Sequence, residues 1–262
     1  MATWETSLPT LMPEALGLAL GQEGLLFLIA TVFIAGIIRG FSGFGTALIF
    51  VPVASRFLEP VWVLIALTVM DAFGPLPNLP RAWRDGNPND VSVLGIATVL
   101  ALPIGLALLF AVPAEVFRYM VASLAIIVPV SLLAGVRYRG AITKPVLFAG
   151  GALAGVTGGA VGLPGPPVIM LYAASTKPIS SIRANTMMYL FFFDCVLLIW
   201  LALKGQLAAV PIWLGVLFFV PAILGNILGA ALFDPSREKV YREIAYSVIV
   251  LAALTSLPIW DK

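Results

Sequence analysis

The chain has 262 residues, of which 61% are hydrophobic and only 11% charged, with a formal net charge of +2. A soluble domain carries about 25% charged residues, so this is the composition of an integral membrane protein with room for about eight to ten helical spans of roughly 20 residues and for no sizeable extramembrane domain. The absence of histidine removes the commonest general base, metal ligand and near-neutral proton carrier, and the small net charge gives no reason to expect a nucleic-acid partner.

Residues 1–22 carry Glu5 and Glu14 but no basic n-region, so they read as a retained N-terminal interfacial segment, with a short helix through Leu16, Leu18 and Leu20, rather than as a signal peptide. Apolar runs then predict helices at about 24–38, 46–58, 61–77, 91–110, 114–134, 145–158, 166–176, 180–203, 208–232 and 240–259, several too short to cross alone. The single Cys195 lies in one of these runs, cannot form an intramolecular disulfide and reads as a small buried hydrophobe. Pro103, Pro129 and Pro221 fall inside runs and predict kinks. The fold class is all-α.

Two pairs of runs are joined by glycine-rich breaks, Arg39 to Gly45 and Gly159 to Pro167, and read as broken helical hairpins. Their tips must be buried in protein or line an aqueous cavity, because an unpaired backbone group cannot face hydrocarbon. Ala35, Gly36, Gly40 and Gly43 recur at Ala154, Gly155, Gly159 and Gly162 with one offset of 119. This pattern predicts two repeats, at 23–135 and 140–260, of the kind found in transporter halves. Five segments per repeat is odd, so the second copy is expected upside down. With both termini outside, the inner loops hold Arg81, Arg84, Arg137, Arg139, Lys144, Lys177, Arg183, Arg237, Lys239 and Arg242, and the outer side Arg56, Arg118, Lys204 and Lys262. That is the direction the positive-inside rule requires.

The stretches Gly40-Phe41-Ser42-Gly43-Phe44-Gly45-Thr46 and Gly155-Val156-Thr157-Gly158-Gly159-Ala160-Val161-Gly162-Leu163-Pro164-Gly165, with Arg183-Ala184-Asn185-Thr186 after the second hairpin, resemble the sulfite exporter TauE/SafE family of membrane permeases. The resemblance implies secondary transport of a small, sulfur-containing or carboxylated anion, such as sulfite, a sulfonate or a sulfoacetate-like compound, across a bacterial cytoplasmic (inner) membrane. The chain departs from the commonest first-repeat pattern, a Gly-Gly-Gly run, by having Phe44-Gly45-Thr46, and its second hairpin is proline-rich.

Helices that begin in mid-membrane aim backbone N–H groups and a positive dipole end at an anion. On that ground the candidate substrate-binding residues are Arg39, Gly40, Ser42, Gly43, Gly45 and Thr46 at the first tip, Thr157, Gly159, Gly162 and Gly165 at the second, and Asn185 and Thr186 at the start of the next segment. Two alternatives stand beside this reading. Gly36/Gly40 and Gly225/Gly229 have the GxxxG spacing of close helix packing, and an exposed face of this kind could also make a homodimer. Arg39 could snorkel to the interface instead of meeting an anion.

Asp71 and Asp194 are the acidic residues well inside predicted spans, and they are the candidates for proton coupling, with a structural pair to Arg39 as the alternative. Gly40-Phe41-Ser42-Gly43 also reads as the GxSG of a serine nucleophile, but that nucleophile usually needs a histidine base, which this chain lacks. No metal-ligand cluster or nucleotide-binding loop appears, so no cofactor is expected and the chain is not expected to be an enzyme. The expected partners are a small anion, the bilayer and protons. The resulting expectation is alternating access, with hairpin tips meeting near the midplane around the anion; a passive anion channel lined by the same hairpins is the alternative.

Overall fold

The computed structural model describes residues 8–42, 44–74, 79–135, 138, 140–172, 178–234 and 238–260. Within them the chain forms twelve α-helices: α1 (Leu8–Leu20), α2 (Leu25–Ser42), α3 (Thr46–Ala54), α4 (Pro60–Ala72), α5 (Leu79–Asp85), α6 (Pro88–Ala111), α7 (Ala114–Leu133), α8 (Lys144–Val161), α9 (Gly165–Tyr172), α10 (Ile179–Leu203), α11 (Ala209–Ala231) and α12 (Glu238–Ser256). A 3-10 turn, Pro258–Trp260, follows. Six helices, α2, α6, α7, α8, α10 and α11, are long and apolar enough to cross a membrane, fewer than the eight to ten spans that chain length allows. Their outward residues include Leu26, Leu100, Leu153 and Ile199, all more than half exposed, a surface that suits lipid and not water.

Local chemistry explains most boundaries. Pro60 and Pro88 occupy first-turn positions where a missing N–H costs nothing, and Asn87 caps α6 by accepting from Asn89 N and Asp90 N. Gly162, at φ 71°, closes α8 in the left-handed conformation that glycine adopts without strain. Pro103, Pro129 and Pro221 lie inside continuous α6, α7 and α11. The sequence expectation omits α5, whose seven residues include three charges and no long apolar run. It also ends α2 near Ile38, whereas the helix runs on through Arg39 and Gly40 to Ser42.

Two helix pairings dominate, α2 with α11 and α6 with α8. Both are backbone-to-backbone contacts made possible by glycine. A Cβ on Gly36 would meet the Ala222 carbonyl and the Asn226 amide; one on Gly155 would meet the Thr98 carbonyl and the Leu102 amide. One turn further on, Gly40 faces Asn226 O and Ala230 N, and Gly159 faces Leu102 O and Leu106 N. Reciprocally, Gly229 lies on the Ile37 carbonyl and Gly105 on the Val156 carbonyl. The α2 and α8 residues in these matched contacts are 119 apart (Ile37 and Val156), and the α6 and α11 residues are 124 apart (Thr98 and Ala222, Leu102 and Asn226, Gly105 and Gly229).

The chain after α3 comes back beside the start of α2, where Gln22 Nε2 donates to the Phe57 carbonyl and the Phe27 and Phe57 rings pack 5.8 Å apart. Arg118 and Ser256 bond at this same end of the bundle, around an open cavity walled by Ser55, Glu59, Glu115 and Pro258. The chain after α8 behaves likewise at the other end: Tyr138 N donates to Met170 O, and Asn185 joins Tyr172 to the amide of Asn87. Buried Leu28, Phe50, Leu64, Phe117, Phe193 and Phe218 fill the core between these ends, with Phe50 and Phe218 edge to face.

Because the seams admit no side chain, Gly229→Val and Gly105→Val are each expected to destabilise the protein by about 1–3 kcal/mol through overpacking. Gly17→Ala, where nothing lies within 4 Å of the added methyl, should melt at or above the wild-type temperature. Thermal unfolding in detergent, followed by size-exclusion chromatography, measures all three.

Candidate functional site

The seam with α11 carries α2 past Gly40 and fixes Arg39 on its last turn. Arg39 Nη1 donates to Asp71 Oδ1 of α4 at 2.7 Å, with the two side chains 32% and 23% exposed. Both groups stand at helix ends, partly withdrawn from water, and the pairing offsets part of the cost that each would carry alone in an apolar body. Asp194, partly buried on α10, stands near both groups. Sequence alone offers the Arg39–Asp71 pair as one of several alternatives; the structure makes it. Three ionisable groups, from α2, α4 and α10, thus share one locality.

Just beyond Arg39 the chain breaks between Ser42 and Thr46. Gly43 lies outside the described residues. The Ser42 hydroxyl is within hydrogen-bond distance of two carbonyls, Ile38 at 2.6 Å and Phe44 at 2.7 Å, so it stitches the break closed. Gly45, at φ 110°, turns the chain into α3 and offers that helix no side-chain cap. Thr46 follows, 4% exposed, and its Oγ1 finds no hydrogen-bond partner among the described residues. Burying a hydroxyl without a partner costs about 1–3 kcal/mol. An uncapped helix start, where free N–H groups and the positive dipole end lie beside this hydroxyl, is suited to an anion.

The second break is more self-contained. Thr157 Oγ1 reaches the carbonyls of Leu153 and Leu163 at 3.0 and 2.9 Å, joining α8 to the turn that follows it. A Cβ on Gly162 would touch Leu64 and Val51, and Gly165 has only ordinary contacts at 3.9 Å. The contacts of Gly40 and Gly159 belong to the helix seams. The first tip stacks Phe41 and Phe44 on Tyr241 and Tyr246 of α12, while the second packs on α3 and α4. The 18 residues of α2 extend roughly 26 Å at 1.5 Å each, most of the hydrocarbon thickness.

Asn185 is fully buried; its Oδ1 accepts from Asn87 N at 2.6 Å and its Nδ2 donates to the Tyr172 hydroxyl at 3.2 Å. These bonds tie α9 and the start of α6 to α10. Thr186 is partly buried beside it. The sequence reading missed the buried pair Thr98 Oγ1 and Tyr189 OH, 2.9 Å apart. The signal was present: Tyr189 follows Pro178 by eleven residues, as Asp71 follows Pro60 by eleven. Cys195 is exposed, not buried as its apolar surroundings suggest.

Replacing Asn185 by Leu strands the Asn87 amide and the Tyr172 hydroxyl, and is expected to lower stability by about 1–3 kcal/mol, read as a lower melting temperature without any added anion. Arg39→Gln and Asp71→Asn each leave one charge unpaired. The double variant should recover about 1 kcal/mol relative to the sum of the singles, a modest value because the pair is partly exposed.

The sulfite exporter TauE/SafE family model matches residues 28–256, from within α2 to the last residue of α12. No curated protein and no solved structure matches the chain. The matched segment takes in both helix breaks, the Arg39–Asp71 pair and Asp194, and with six apolar helices long enough to cross a bilayer it establishes a multi-pass membrane protein. The chain belongs to the sulfite exporter TauE/SafE family, a family of membrane transporters.

Proposed function

We propose that the protein is a secondary transporter that moves a small anion, sulfur-containing as in sulfite, a sulfonate or a sulfoacetate-like compound, across a bacterial cytoplasmic membrane by alternating access. The observation that carries this reading is the Arg39 guanidinium, held by Asp71 inside a membrane helix and next to a helix break. A cation there is expensive unless it meets negative charge, and an anion arriving at the break would find both that cation and the uncapped start of α3 with the Thr46 hydroxyl. The family supports transport as the activity.

Alternating access in this reading rests on two inverted repeats, each with a broken hairpin. The matched glycine contacts, 119 and 124 residues apart, support the repeat, and the return of the two hairpins to opposite ends of the bundle supports its inversion. Basic Arg81, Arg84, Lys144 and Arg183 belong to helices that start or end at the Asn87–Asn185 end, which favours that end as the cytoplasmic one; Arg137, Arg139, Lys177, Arg237 and Lys262 lie outside the described residues. Asp71 and Asp194 are the proton-coupling residues of the proposal, and a proton accompanying the anion would offset the roughly 2.3 kcal/mol that each net charge gains or loses per 100 mV. Two copies could associate through an exposed helix face.

The test is flux of labelled sulfite, sulfoacetate and related anions into proteoliposomes, with and without an imposed pH gradient. Saturable flux with counterflow is expected, and Arg39→Gln should lower it at least about tenfold, the loss of a hydrogen bond to a charged group. Flux proportional to concentration without counterflow would identify an anion channel. No flux of any tested anion would overturn the substrate class.

A further inference from the structure

Asp71 presents to Arg39 what an anionic substrate would present: oxygen atoms that share a negative charge on a small group. The guanidinium has five N–H donors, and one bond at 2.7 Å connects it to Asp71. The pair is reachable, since both side chains keep partial exposure. The two partners are also anchored unequally. Arg39 is set between Gly36 and Gly40, whose backbones are locked against α11, whereas Asp71 stands one residue before the end of α4.

We propose that Asp71 occupies on Arg39 the position of the transported anion, so that binding of the anion and release of Asp71 are one exchange. This rests on the reading of Arg39 as the anion's partner.

This makes a counterintuitive demand: neutralising an acidic residue should tighten anion binding. The probe is methanesulfonate, which stays ionised across the working range, so that any pH dependence belongs to the protein. Binding is measured by calorimetry on the purified full chain in detergent. Asp71→Asn should bind about fivefold more tightly than wild type at neutral pH, the value of a partly exposed ion pair. Arg39→Gln should bind nothing. Weaker or unchanged binding by Asp71→Asn would overturn the exchange, with Asp71 then serving to position Arg39. Should Asp71→Asn fail to fold, Asp71→Ser gives the same reading, tighter binding supporting the exchange and weaker or unchanged binding overturning it. Saturable sulfite flux in proteoliposomes combined with the negative binding result leaves the transporter reading standing and removes only this inference. Absence of both binding and flux removes both.

Discussion

Backbone contact between helices along two glycine seams is the constraint on which the rest of the molecule depends. Lipid tails are as apolar as leucine, so helices in a bilayer gain little by burying side chains and associate through close packing. Gly36 and Gly40 let α2 lie on the backbone of α11, and Gly155 and Gly159 let α8 lie on α6. Each seam joins a helix from the first part of the chain to one from the second. The two parts are therefore built into each other rather than set side by side, and helices that carry breaks are held by helices that are continuous.

That construction explains how charges from two separate helices come to face each other in an apolar body. The seam carries α2 far enough for Arg39 to meet Asp71 of α4, and α4 is itself pressed on α11 where Gly215 touches Val69 and the Ala66 carbonyl. Both charged side chains thus hang from helices that share one support. The break that follows leaves the start of α3 uncapped and Thr46 Oγ1 without a partner. An isolated instance of either feature would pass as local imperfection. Together with the Arg39–Asp71 ion pair at the same break they form one polar locality inside an apolar body.

The two parts of the chain share their backbone contacts but not their chemistry. Where α4 carries Asp71, eleven residues after Pro60, α10 carries Tyr189, eleven after Pro178. The first makes an ion pair and the second a neutral bond to Thr98. Position 39 is arginine, whereas the residue 119 further on is Gly158, against which Phe193 packs. At these matched positions charge falls on the first side alone, and α10 carries its own acidic residue, Asp194, five residues after Tyr189.

Composition and periodicity by themselves determine that the chain is an all-helical membrane protein, where most of its helices fall, that two of them break at glycines, and that the stretches around Gly40 and Gly159 are alike. These are properties of residues close in the chain, and apolar runs, proline and glycine act on the backbone over a turn or two. The family too is legible there, because its motifs are local. Tertiary structure alone decides that Arg39 pairs with Asp71, 32 positions away, that Asn185 serves Asn87 and Tyr172, that Gly40 and Gly159 face neighbouring helices, and that the tips pack on α12 and on α3 and α4. Each of these turns on distances between elements far apart in the chain, which follow from how helices seat on one another and not from any pattern within one of them.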